Sequence, residues 1–326
     1  MLAAAALAIA AVLSGQADVK AVTAEARKLI AEGRGKEAIA KLQPVAGESP
    51  EIGRLLGVAY YHADDTGKAI AELSRVMDRL DAGSIERREA VQVLGLSYYI
   101  NGRYAEAIPL LEETRKWATD NLELGHILGL SYIHTRQPDL ARAALARTFG
   151  VAPDSAGAHV ITAQLMARLE MEPEATAELT KALEKDPRAA KANYLLGQMA
   201  LFRGRVDEAI TLTQRELAMN PSDAMALYQL GDAYLRASRL DDATAALQKS
   251  LWLNPYYSGP YILLGRLYMR KEQPATAEGM LRRAIQYDPN NRSAHYLLGQ
   301  LLQQVGRLDE AKQEFAIAER LQPPGR

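Results

Sequence analysis

Residues 258–291 read SGPYILLGRLYMRKEQPATAEGMLRRAIQYDPNN. The stretch holds two helical patterns with a turn between them. Tyr261, Leu264, Gly265 and Tyr268 share one face of the first helix, and Ala277, Leu281 and Ala284 share one face of the second. Pro289 stops the second helix, because proline has no N–H and fixes φ. Moving the window by 34 residues finds the same marks again. The following copy has Leu298, Gly299, Leu302, Ala311, Phe315, Ala318 and Pro323; the preceding one has Leu227, Leu230, Gly231, Tyr234, Ala243, Leu247 and Pro255.

Working outward, about nine such units can be counted. The first, from Val19 to Ser49, is degenerate: Glu25 and Ala26 stand where Leu and Gly recur elsewhere, though Ala38 and Leu42 keep its second helix on pattern. Extra residues within 82–87 predict a longer loop between the second and third units. The fifth unit has Thr162-Ala163 in place of Leu-Gly, and Thr213 and Glu216 weaken the second helix of the sixth. A helix–turn–helix unit of this period, with Leu-Gly, Tyr, Ala and Pro at fixed offsets, resembles the tetratricopeptide repeat (TPR) family. The resemblance covers residues 19–323. It implies an all-α solenoid, a right-handed superhelix of stacked hairpins over 18–326. Glycine at the eighth position (Gly95, Gly129, Gly197, Gly231, Gly265, Gly299) and alanine at the twentieth let the two helices of a unit approach closely.

A 326-residue chain is long for one compact core, whereas a stacked array needs none. The formal net charge is −1, so no bulk attraction to nucleic acid is indicated. With no cysteine there are no disulfides, zinc thiolates, thiol catalysis or lipoprotein anchor. Residues 2–13 form an alanine-rich apolar run followed by Gly15-Gln16-Ala17 and Asp18. Residues 1–17 therefore read as a signal peptide, although no Lys or Arg precedes the run. The expectation is a periplasmic or secreted protein that meets the membrane only through that segment. The alternative is a cytoplasmic protein in which these residues cap the first repeat. At the other end Ile317 and Leu321 leave the last helix partly apolar; simple tolerance of a mildly apolar end is the favoured reading, and self-association or partner docking there is the alternative.

No catalytic motif is present: GxSxG, HExxH, Walker A and GxGxxG are all missing. Gly33-Arg34-Gly35-Lys36 reads as an interhelix turn, and His126 and His134 are too far apart on one helix to form a metal pair. Neither an enzyme nor a cofactor is expected.

In TPR proteins the first helix of each unit lines a concave groove, with its second, fifth, ninth, twelfth and thirteenth positions pointing inward. The resemblance then implies two zones. In units two to four the groove shows Arg54, Val58, Tyr61, Leu96, Tyr99 and Ile133, an apolar, aromatic trough. In units five to nine it shows Gln164, Arg168, Tyr194, Gln198, Tyr228 and Asp232, then Arg236, Arg266, Arg270, Tyr296 and Gln300. Glutamines offer a donor and an acceptor to an extended backbone. Arginines can pair with carboxylates bidentately, and tyrosines give rigid contact with a polar tip. The Asn and Lys of a carboxylate clamp, and the Asn ladder of O-GlcNAc transferases, do not occur here. The expected function is a non-enzymatic scaffold or adaptor holding peptide segments of partner proteins in the groove, in cell-envelope assembly or secretion. The alternatives are a cytoplasmic assembly factor, a regulatory subunit, and a carbohydrate-binding superhelix stacking sugars on Tyr194, Tyr228 and Tyr296.

Overall fold

The computed structural model describes residues 19–321. The expected signal segment and Pro323 lie outside them. Among the described residues every regular element is a helix. They run as nine hairpins: α1 (19–31) and α2 (Gly35–Leu42), α3 (Pro50–His62) and α4 (Thr66–Val76), α5 (Ile85–Ile100) and α6 (Tyr104–Arg115). Then come α7 (Leu122–His134) and α8 (Pro138–Thr148), α9 (Ala156–Arg168) and α10 (Glu172–Lys185), α11 (Ala192–Phe202) and α12 (Val206–Met219). The last three pairs are α13 (Ala224–Arg236) and α14 (Leu240–Leu253), α15 (Ser258–Arg270) and α16 (Pro274–Tyr287), α17 (Arg292–Gln304) and α18 (Leu308–Arg320). The all-α repeat architecture is as expected. The chain divides into two compact units, Met1–Thr162 and Ala163–Arg326, with the division falling inside α9.

Each hairpin turns through one residue of positive φ, seven places after the helix-contact position. Gly33, Gly102, Gly204 and Gly306 fill that place in four turns, where glycine carries no steric penalty. Asp64, Arg136, Glu170, Ser238 and Glu272 hold the same left-handed conformation at φ 56–61°.

The close approach within a hairpin involves a glycine and a leucine. A Cβ built on Gly231 would lie 2.5 Å from Leu247 Cδ2, and one on Gly265 would lie 2.6 Å from Leu281 Cδ2. Both leucines are fully buried, so this one contact fixes how far apart the two helices stand.

The first helices start at capping residues. Ser49 accepts from Ile52 N–H at 3.2 Å, Asn121 from Leu124 N–H at 2.9 Å and Asn291 from Ala294 N–H at 3.2 Å. The sixth hairpin has Ala189 at that place, and α11 starts later, after Lys191 at φ 66°. A carboxylate from the neighbouring helix replaces the missing cap. Glu216, 2% exposed on α12, accepts from Lys191 N–H at 2.9 Å and Tyr194 N–H at 3.3 Å. Gln229 then donates to Tyr194 O at 3.1 Å and Thr213 Oγ1 at 2.8 Å. Thr213 and Glu216 thus do not weaken this hairpin; they tie its two helices together. The extra residues near 82–87 also end up differently from the expected loop. Ser84 caps α5 through Arg87 N–H at 3.1 Å, and α5 runs 16 residues where α3 runs 13, so much of the insertion becomes an added turn of helix.

Candidate functional site

In the second unit the site begins with a glycine at the second position of α15. Tyr257 precedes that helix, and its side chain makes no capping bond. Its ring folds over Gly259, where a Cβ would lie only 2.7–2.9 Å from Tyr257 Cζ, Cε1 and Oη. There it meets Tyr228 of α13 edge-on, with centroids 5.3 Å apart and planes at 76°. The pair walls a hollow of about 440 Å³ with Ile262 and Leu263 among its buried lining. Asp232, Arg236, Ser258, Arg266, Asp288, Asn291 and Ser293 complete it. Burial, helped by Tyr257 and Asp232, pushes the Tyr228 hydroxyl far up, so it stays protonated and able to donate.

The arginines of α13 and α15 differ in what they do. Arg236 pairs with Asp232 at 2.9 Å and donates through Nη1 to Leu201 O at 3.1 Å, in the last turn of α11. Arg270 donates likewise to Leu235 O at 2.9 Å, in the last turn of α13. A cation against the C-terminal carbonyls of a helix is a favourable cap. The expectation that both offer bidentate forks to a ligand is corrected accordingly, because each already binds backbone. Arg266 makes no hydrogen bond or ion pair with any described residue and is exposed.

A second hollow of about 570 Å³ is lined by Ala167, Glu170, Glu172, Gln198, Met199 and Phe202. Phe202 holds the thirteenth position, which Arg236 and Arg270 hold in the next two hairpins, and is 87% exposed. Arg203 holds Glu172 at 2.7 Å. Glu170, in the α9–α10 turn, makes no ion pair with a described residue.

One tetratricopeptide repeat family model matches residues 98–169 and 268–324, and a second matches 173–217 and 200–258. The chain belongs to the tetratricopeptide repeat family. Among solved structures this TPR protein is similar to MamA from Desulfovibrio magneticus RS-1, at 23% identity over 52% of this chain and 95% of that one, with a TM-score of 0.47. It is also similar to YrrB, a TPR protein with an unusual peptide-binding site, at 22% identity over 52% and 88%, with a TM-score of 0.43. The C-terminal part of a TPR protein from Cytophaga hutchinsonii is 15% identical over 71% and 95%, with a TM-score of 0.46. No curated protein matches the chain.

The remaining expected groove residues of this TPR array divide by burial. In the first unit Tyr61, Leu96 and Tyr99 are half-buried. Ile133 is fully buried and offers nothing to a ligand, because its side chain has gone into the packing between helices. Val58 is buried too, and Arg54, 3% exposed, is held by Glu51 at 2.6 Å and by Glu89. Tyr99 packs edge-on against Tyr104, which stacks on His134 at 4.1 Å. The apolar trough of that unit is thus largely occupied by its own side chains. In the second unit Gln198 and Arg168 are exposed, and Gln164, Tyr194 and Gln300 are half-buried. Tyr296 is exposed on one side and lies 5.6 Å from Phe315 on the other. Gln164, Gln198 and Gln300 make no side-chain hydrogen bond with a described residue, which leaves their amides available. Sequence reasoning missed Tyr257 and Glu170. Gly259 at a ligand-facing position was the signal for Tyr257, since a glycine there leaves room for a neighbouring ring. Among the described residues there is no cluster that could hold a metal ion, and no helix is long and apolar enough to cross a membrane.

Proposed function

We propose that this TPR protein is a non-enzymatic scaffold that holds an extended segment of a partner protein along the first-helix face of its second unit. The reading is carried by the Tyr228–Tyr257 pair, set over Gly259 and next to Arg266 with its guanidinium unengaged. A rigid aromatic wall with a polar tip, a buried aliphatic base and a cation at the rim suit a peptide side chain and its carboxylate. Gln198 and Gln300 supply further donors and acceptors for its backbone.

Gly259→Ala tests the site without unfolding it. Alanine favours the helix, while its Cβ takes the space of the Tyr257 ring. For a peptide selected from a displayed library, affinity should fall about tenfold while the melting temperature does not fall. Unchanged affinity would remove the aromatic pair from the site.

The proposal includes an envelope or secreted location, resting on the apolar run 2–13 and the small residues at 15–17. N-terminal sequencing of exported protein should begin at Asp18; an intact Met1 on cytoplasmic protein would reject it. Self-association through α18 is part of the same reading, supported by half-exposed Phe315 and Ile317. A mass that rises with concentration would show it.

A further inference from the structure

In the second unit the thirteenth position of a first helix carries a repeated device, and one hairpin breaks it. Arg236 and Arg270 each reach back to the twelfth-position carbonyl of the preceding first helix, Leu201 O at 3.1 Å and Leu235 O at 2.9 Å. Those carbonyls also accept the N–H of their own turn, from Gly204 at 3.1 Å and Ser238 at 3.2 Å, so the guanidinium takes the second lone pair. Ala167 O is the equivalent acceptor one hairpin earlier, and it takes the Glu170 N–H at 3.1 Å. The residue at the matching thirteenth position is Phe202, which has nothing to donate and stands 87% exposed. We infer that the hollow between Ala167 and Phe202 receives an arginine side chain of the bound segment, which supplies the guanidinium that this hairpin lacks. The inference rests on the peptide-binding reading above and names the residue that the segment must carry.

The lining fits that group. Ala167, Glu170, Glu172, Gln198, Met199 and Phe202 form it, with no cation among them. Arg203, outside the lining, neutralises Glu172 at 2.7 Å, and the Glu170 carboxylate is left without an ion pair. Arg168 also stands outside the lining and makes no ion pair with Glu170. At the ninth position Gln198 replaces Asp232, the residue that holds Arg236 at 2.9 Å, so the carboxylate here comes from the turn instead. An incoming guanidinium thus meets a carboxylate, a backbone carbonyl and an exposed amide oxygen. Its flat face can lie on the Phe202 ring, and its aliphatic stem can pass over buried Met199. Lysine brings a compact point charge without the planar fork, so the hollow selects arginine over it.

The test uses the full chain and fluorescein-labelled peptides selected on it from a random displayed library, followed by anisotropy. The tightest binders should contain an arginine, and replacing it by lysine or by uncharged citrulline should weaken binding at least about tenfold. Glu170→Gln should weaken the arginine peptide similarly and leave its citrulline form unchanged. Phe202→Arg lets the chain supply its own guanidinium. The melting temperature should then rise by about 2 °C or more, and the arginine peptide should lose its advantage over the citrulline form. Both positions are exposed, so the fold is spared. Binders without arginine, an arginine replaced at no cost, an advantage that survives Phe202→Arg, or a melting temperature that this variant does not raise would overturn the inference. In each of those cases a weakening by Gly259→Ala still supports the peptide site. A library that yields no binder rejects both readings.

Discussion

The guanidinium of Arg270 donates to the carbonyl of Leu235 at 2.9 Å, so the end of one hairpin's first helix is closed by the next hairpin. Arg236 and Leu201 repeat the relationship at 3.1 Å. Arginines at one offset in successive units are thus stability elements at the thirteenth position, while Arg266 at the ninth has no such partner.

Arg270→Met and Arg266→Met should therefore separate stability from binding. The first removes a charge-assisted cap and costs about 1 kcal/mol in urea unfolding, discounted for its exposure, while peptide affinity holds. The second leaves the urea midpoint in place and weakens an acidic peptide. The opposite pattern would return Arg270 to the ligand site.

Gly231→Ala puts a methyl group 2.5 Å from Leu247 Cδ2 in a fully buried contact. Overpacking costs about 1–3 kcal/mol, offset in part by about 1 kcal/mol of helix propensity. Gly231→Leu, with no room at all, should split thermal unfolding into two transitions, because neighbouring hairpins stabilise one another across each interface. A single unshifted transition would contradict that coupling.

Glu216→Ala strips the cap from α11. It leaves the Lys191 and Tyr194 amides without their acceptor, and the expected loss is about 1–3 kcal/mol. Amide exchange should quicken first at those two residues. Protection that survives there would mean the carboxylate is dispensable.

In the first unit, Glu51 gives a pH signature. Burial pushes its carboxyl up, but hydrogen bonds and charge from Arg54 and Arg27 more than compensate, holding it below the ordinary 4.5. A depressed carboxylate stabilises the fold above its unfolded value of about 4.3. That contribution is lost as pH falls through the folded value. Urea midpoints should drop as pH falls below about 4.5, and Glu51→Gln should make the drop shallower. An identical pH slope in that variant would place the acid sensitivity elsewhere.

The hairpins were legible because their determinants are local. Leu230-Gly231 with Ala243 and Leu247 specifies a contact between helices joined by a short turn, and the same marks recur. The site was legible only in part. A position number says which way a residue starts from the helix, not how far a long side chain reaches. Arg236 and Arg270 start at a groove position and end on another hairpin's backbone. Ile133 starts at another groove position, the twelfth, and is buried completely, because an aliphatic side chain gains by leaving water. Glu216 read as a defect because its role depends on the absence of a cap at Ala189, 27 residues away, a compensation no single repeat displays.

The backward reach of Arg236 and Arg270 has a consequence for biogenesis. A nascent chain leaves the ribosome N-terminus first, so the C-terminal ends of α11 and α13 gain their arginine caps only after the succeeding hairpin has emerged. Synthesis stalled just after α14 would hold a helix whose last turn still lacks its clasp, and completion of this part of the array advances one hairpin behind translation.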